Sequence, residues 1–153
     1  MPAQAPSVTL HASCVAVAGR GLLIRGASGS GKSSLSLQLM AYGADLVADD
    51  QVQICQRGVT LRASPPAALT GLIEARNFGI LTATFAKDSA ICAIVDLDEV
   101  ETERLPRLRY ESILGQKIPV FRRVEGQHFA AALIQFLKSG CLDPDAKRPD
   151  VKL

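Results

Sequence analysis

The sequence predicts an α/β domain organised around a phosphate-binding loop. Three observations predict it. Residues 26–33 read GASGSGKS, which matches G-x-x-x-x-G-K-[ST]. The apolar run Leu22-Leu23-Ile24 leads straight into this segment, and a helical pattern with Leu35, Leu39 and Met40 leaves it. Short apolar runs of strand character, separated by turn residues, recur along much of the remaining chain. With Gly near ~7% of residues, chance produces the loop motif in roughly one chain of this length in 200, and the required context makes it rarer still.

Taken in order, Val8-Thr9-Leu10 and Cys14 to Val17 predict two short strands, and Gly19-Arg20-Gly21 a turn before the buried strand Leu22 to Ile24. The helix is expected over about 31–42, with Gly43 as the residue that ends it. Leu46-Val47-Ala48 predicts a strand followed by the pair Asp49-Asp50. Residues 52–55 and 59–62 predict a hairpin around Arg57-Gly58, and Pro65-Pro66 breaks the pattern. Leu72 to Arg76, Ile80 to Phe85 and the strongly apolar Ile91 to Val95 follow. Residues 96–118 are polar and charged and give no assignable pattern. Val120 to Val124 predicts a strand, and His128 to Lys138 an amphipathic helix with Phe129, Leu133, Phe136 and Leu137 on one face. From Cys141 on, two prolines and mixed charge predict a flexible tail, so residues 1–140 are expected to form the domain and 141–153 the tail.

Composition narrows the function classes. A chain of 153 residues, 48% hydrophobic and 21% charged, can bury one globular core. Its 17 basic and 15 acidic residues leave a net charge of +2, too weak to steer nucleic acid or a membrane surface. No run of apolar residues is long enough for a transmembrane helix, and the N-terminus lacks the basic and apolar regions of a signal peptide. The absence of Trp argues against an aromatic nucleic-acid platform. Cys14, Cys55, Cys92 and Cys141 form no CxxC pair and no zinc spacing, so they are expected to be reduced thiols of a cytoplasmic protein.

The loop carries the chemistry. In Gly26-Ala27-Ser28-Gly29-Ser30-Gly31-Lys32-Ser33 the glycines let successive N–H groups converge on phosphate oxygens, and the following helix adds its positive end. Lys32 is placed to meet the β/γ-phosphates, and the Ser33 hydroxyl to meet Mg²⁺. Such a site also needs a carboxylate to hold the metal or accept a proton. Two candidates fit: Asp96, which ends the run Ile91 to Val95, and the pair Asp49-Asp50, whose neighbouring side chains point to opposite sides of a strand. Spacing alone does not choose between them.

The segment from Gly21 to Ile54 resembles the phosphate-loop region of the HPr kinase/phosphorylase family. The triplet Ala48-Asp49-Asp50 stands at that family's distance from the loop lysine, and His11 at the offset of its preceding histidine. The stretch IEARNFGI is similar to the family signature E-I-R-G-x-G-I at Glu74, Arg76, Gly79 and Ile80, and Arg104-Leu105 resembles its later D-R-L-G element. The resemblance covers about residues 8–138. It implies a P-loop α/β domain with a central mixed β-sheet, like that of phosphoenolpyruvate carboxykinase. The implied activity is ATP- and Mg²⁺-dependent phosphorylation of a serine on the phosphocarrier protein HPr, and removal of that phosphate by inorganic phosphate. Carried over by position, Lys32 meets the transferring phosphate, Ser33 and Glu74 hold Mg²⁺, Asp50 beside Asp49 accepts the serine proton, and His11 and Arg104 are further active-site residues. The family assembles as homohexamers, and the resemblance is to its short form without the N-terminal domain, as in alphaproteobacteria.

The chain departs from the family at several points. Asn77 stands for a signature Gly, a residue that allows a positive φ. Glu103 and Pro106 flank Arg104-Leu105 in place of Asp and Gly. Gly126-Gln127-His128 stands where the family has Gly-Arg-Asn, tied to dephosphorylation, with Arg122 and Arg123 nearby. Plainer readings exist for single residues: His11 as an ordinary strand histidine, Glu74 and Arg76 as an exposed ion pair. The six basic residues from Arg104 to Arg123, against one acidic, read either as a solvated face or as a patch that meets a partner or a phosphate. Two other function classes stay open: a small-molecule kinase on the same scaffold, and a nucleotide-binding regulatory module without phosphotransfer.

Overall fold

The computed structural model describes residues 5–141. Apart from Cys141, the expected tail lies outside the described residues. Among the described residues there are eleven strands: β1 (Ser7–Leu10), β2 (Ala12–Val17), β3 (Arg20–Arg25), β4 (Asp45–Ala48), β5 (Val52–Arg57), β6 (Thr60–Ser64), β7 (Leu72–Ala75), β8 (Gly79–Thr82), β9 (Ser89–Val100), β10 (Arg109–Ile113) and β11 (Gln116–Arg123). Helix α1 spans Lys32–Ala41 and α2 spans Phe129–Ser139. Nine strands form one mixed sheet, as expected. Strands β3, β9 and β11 run parallel at its centre, and the other pairings are antiparallel. Strands β7 and β8 form a separate hairpin.

The unassigned stretch 96–118 is where the sheet branches. Strand β9 pairs with β3 along one edge. Its other edge is shared: β6 pairs with its first residues, and β11 with its later ones. Charged residues hid this half of β9, because only its first half is packed between two apolar layers.

The core has two parts, one on each face of the sheet. Leu22, Ile24, Ala93, Val95 and Leu97 pack under the helices, against Leu35, Leu39, Leu133 and Leu137. Leu23 and Ile94, one residue out of phase, face the opposite layer with Ile54, Leu61, Ile113 and Ile118. The alternation slips at Cys92, where the register with β3 shifts, so Ile91 and Ile94 reach the same face. A fully buried Leu or Ile contributes roughly 1.5–3 kcal/mol, so these two layers hold the loop's flanking elements rigidly in place.

Two helix expectations are met closely. Gly43, at φ 106, follows the last turn of α1, and α2 covers the predicted apolar stripe. Asn77 adopts φ 62 in the β7–β8 turn, the left-handed region that Asn tolerates among non-glycine residues. Cys14, Cys55 and Cys92 are free thiols, and burial pushes Cys14 up to about 12. No helix of the described residues is long and apolar enough to cross a membrane.

Candidate functional site

The phosphate-binding loop joins the end of β3 to the start of α1. Gly31, at φ 102, forms the helix N-cap with no side-chain cap, so no N-cap side chain satisfies the first helical N–H groups. A Cβ on Gly29 or Gly31 would meet nothing within 4 Å, which leaves this wall open to an anion. At Gly26 the reason for glycine is the opposite: a Cβ there would lie 2.5 Å from Ser30 Oγ. Lys32 folds back over the loop, with Nζ donating to Gly26 O at 2.9 Å and Ala27 O at 3.2 Å.

The chain turns sharply after β4. Asp50 takes φ 68, which sends the two adjacent carboxylates different ways. Asp49 points into the loop: its Oδ1 accepts from Ser33 Oγ at 2.7 Å and from Ser13 Oγ at 2.9 Å, and its Oδ2 accepts from the Glu74 N–H at 3.2 Å. Asp50 points outward, 65% exposed, with His11 Nδ1 3.3 Å from its Oδ1. The buried Ser13 hydroxyl ties the two together, since it donates to Asp49 and accepts from the Asp50 N–H at 3.3 Å. Nothing in the local sequence marks Ser13, because its role depends on the β2–β4 pairing.

Together these elements wall a cleft of 320 Å³ that includes Gly29, Lys32, Ser33, Asp49, Asp50 and Glu74, with Arg76 beside them. Alternation along β7 and into the residue after it puts Glu74 and Arg76 on one face, while Ile73, just before Glu74, is buried on the other. Ile80, paired with Glu74 across the hairpin, is 72% exposed, and Phe78 at its tip is 81% exposed.

The remaining expected residues fall elsewhere. His11 reaches the cleft through Asp50 and also lines a second groove between β1 and β10. Arg104 is exposed in the β9–β10 loop and is not among the cleft-lining residues. Asp96 is engaged by Arg25 at 3.2 Å, and Arg25 also pairs with Glu111. Those two carboxylates, Glu111 foremost, hold the Arg25 guanidinium above its ordinary range. Of the basic stretch, Arg109 binds Glu101 at 2.6 Å, Lys117 lies over the Tyr110 ring and Arg123 reaches the phosphate loop. Arg109 in turn holds the Glu101 carboxyl below the usual range.

Hard oxygen donors suit Mg²⁺, and Ser33, Asp49 and Glu74 bring such donors to one cleft. Among the described residues no group of three His, Cys, Asp or Glu forms a complete metal cage. That fits an ion held by one or two carboxylates together with substrate phosphates.

A mixed sheet, a glycine loop running into a helix, and an acidic pair facing that loop define a phosphate-binding α/β domain of the P-loop class. The chain belongs to the HPr Serine kinase C-terminal domain family, whose profile matches residues 3–122. It is 45% identical over 78 residues to the HPr kinase/phosphorylase of Listeria innocua, which covers 50% of this chain and 25% of that protein. A Clostridium botulinum HPr kinase/phosphorylase is 42% identical over 80 residues, 52% of this chain and 26% of that protein. The chain thus spans about a quarter of the length of the curated relatives it matches. The solved Hpr(Ser) kinase/phosphatase from Coxiella burnetii has the same fold, with a TM-score of 0.75, 24% identity and coverage of 86% of this chain and 94% of that one.

Proposed function

We propose that this chain is an ATP-dependent serine kinase whose substrate is the phosphocarrier protein HPr. The observation that carries the reading is the split of the acidic pair: Asp49 faces Ser33 at the loop, and Asp50 faces outward beside His11. One carboxylate stands where a nucleotide's metal side would be, and the other at the mouth where an acceptor hydroxyl must arrive. Exposed Phe78 and Ile80, on the hairpin that carries Glu74 and Arg76, supply an apolar flank that suits a protein acceptor better than a small polar one.

In this reading the loop N–H groups and the α1 N-terminus bind the β- and γ-phosphates, and Lys32 leaves the loop carbonyls to meet the transferring group. Ser33, Asp49 and Glu74 would hold Mg²⁺, which when bound neutralises charge on the phosphate oxygens. Asp50 accepts the proton of the attacking serine hydroxyl, and His11 orients that carboxylate. In reverse, inorganic phosphate attacks phosphoserine-HPr, pyrophosphate forms, and Asp50 returns the proton to the serine oxygen. A cytoplasmic location and a homo-oligomeric state, hexameric in the family resembled, belong to the same proposal. Arg104 is proposed to contribute only as a residue of the exposed β9–β10 loop facing a partner.

The test is to mix the purified chain with Mg-ATP and HPr from the same organism and weigh HPr intact. A phosphate-sized gain that disappears in Lys32→Ala establishes the kinase. Incubating the phosphorylated product with inorganic phosphate then reads the reverse reaction at a loop where Gln127 stands for Arg. ATP binding with no mass gain would sink the kinase reading in favour of a regulatory module.

A further inference from the structure

The phosphate loop is tethered from the side opposite the acidic pair, by residues with no part in the mechanism above. The ladder between β9 and β11 breaks at one place: Arg122 pairs with Asp96, but Arg123 pairs with Val100. Residues 97–99 therefore bulge out of register, and bulges commonly re-aim side chains beside active sites. Here the bulge turns toward the loop. Both oxygens of Asp98 accept from the Ala27 N–H, at 3.0 and 3.1 Å. The Asp98 N–H is itself fixed by Asp96 Oδ1 at 2.9 Å, and Asp96 is held by Arg25. On the other strand of the break, Arg123 donates from Nη2 to Ser30 O at 2.6 Å and from Nε to Leu97 O at 3.1 Å. The two attachment points bracket the turn closed by the Ser30 N–H to Ala27 O bond at 2.9 Å.

We propose that Asp98 and Arg123 form a two-point clamp that holds the phosphate loop in its binding shape, acting as positioning residues for the nucleotide's phosphates. The inference rests on the nucleotide reading above. Physically, a glycine-rich loop loses much entropy when ordered, so a loop fixed before binding gives tighter binding. Arg123 fits the task because its planar fork satisfies two carbonyls at once, which a lysine cannot do with the same geometry. Asp98 acts through its acceptor oxygens. Its negative charge near a phosphate site would itself oppose binding.

The clamp makes a prediction that a charge effect does not. Arg123→Gln and Arg123→Lys should both raise the Kd for Mg-ATP, by roughly tenfold, because the pair of hydrogen bonds donated to Ser30 O and Leu97 O is lost in each. Asp98→Ala should weaken binding by roughly threefold, and Asp98→Asn should recover most of that loss because it keeps an acceptor. In the nucleotide-free chain, amide hydrogen exchange in a peptide spanning residues 26–31 should rise in Arg123→Gln while that of α2 stays as in wild type. Full affinity in Arg123→Lys would overturn the clamp in favour of a charge effect, as would tighter binding in both Asp98→Ala and Asp98→Asn, and Asp98→Asn as weak as Asp98→Ala would overturn the acceptor role of Asp98. Unchanged loop exchange in Arg123→Gln would also overturn it. Hydrogen exchange decides the clamp without nucleotide, so a wild-type chain that fails to bind Mg-ATP would defeat only the nucleotide reading.

Discussion

Two pairs of carboxylates approach the phosphate loop from opposite sides, and their surroundings give them opposite roles. Asp49 and Asp50, after β4, line the cleft, and their nearest partners are hydroxyls, a backbone N–H and one histidine. Asp96 and Asp98, late in β9, are engaged by Arg25 and by the loop's own Ala27 N–H. An arginine-bound carboxylate has its lone pairs and charge already committed to that cation. A carboxylate at an open mouth keeps both available. Position at a strand end is shared by both pairs; what differs is the partner across the gap, a cation for Asp96 and hydroxyls or a histidine for Asp49 and Asp50.

Variants of each side test that contrast. The largest effect is expected from Asp50→Asn, which removes the proposed proton acceptor and should lower kcat for transfer to HPr by about 10²–10⁴-fold with little change in nucleotide affinity. Steady-state kinetics check it, and near-normal transfer would erase the distinction between the two sides. Asp49→Asn comes next. It weakens the acceptor of Ser33 and Ser13, so Mg²⁺-dependent ATP binding should weaken by about tenfold, read by titration at several Mg²⁺ concentrations. Asp96→Ala should change kcat by less than about fivefold, because Arg25 retains Glu111, while thermal unfolding shifts down slightly.

The smallest expected effect concerns pH. The hydrogen bond from Arg109 holds the Glu101 carboxyl below its ordinary value. A depressed folded-state pKa contributes stability that is fully present above the unfolded carboxylate range. That stability is lost as pH falls through the folded value. Glu101→Gln should therefore lower Tm by a few degrees at most at pH 7, and the gap from wild type should narrow as pH falls below the ordinary carboxylate range. Melting curves across that range check it. An equal gap at both ends would show that Glu101 acts by packing alone.

Much of the fold was legible because its signals are local. The β5–β6 hairpin around Gly58, the end of α1 at Gly43 and the stripe of α2 follow from residues a few positions apart. Residues 96–118 were not legible for a physical reason. Beyond Asp96, where its pairing with β3 ends, β9 keeps only the pairing of Val100 with Arg123 of β11 and lies outside the thick part of the core, so hydrogen bonding, not apolar periodicity, makes it a strand. Strand β10, with Arg109, Glu111 and Ile113 alternating with Tyr110 and Ser112, carries its ion pairs on one face and gives no apolar alternation.

The sequence by itself determined the loop, its strand and helix, the family resemblance and the short list of acidic candidates, since each is a pattern in neighbouring residues. Only the tertiary structure decided that Asp49 and Asp50 face the cleft while Asp96 faces Arg25, that Ser13 links the acidic pair, and that Asp98 and Arg123 reach the loop. Those outcomes depend on pairings across 16 to 93 residues of chain, such as Ser33 with Asp49 and Arg123 with Ser30. A carboxylate's chemistry is set by the donors and charges within a few ångströms of it, and those neighbours exist only once the sheet has closed.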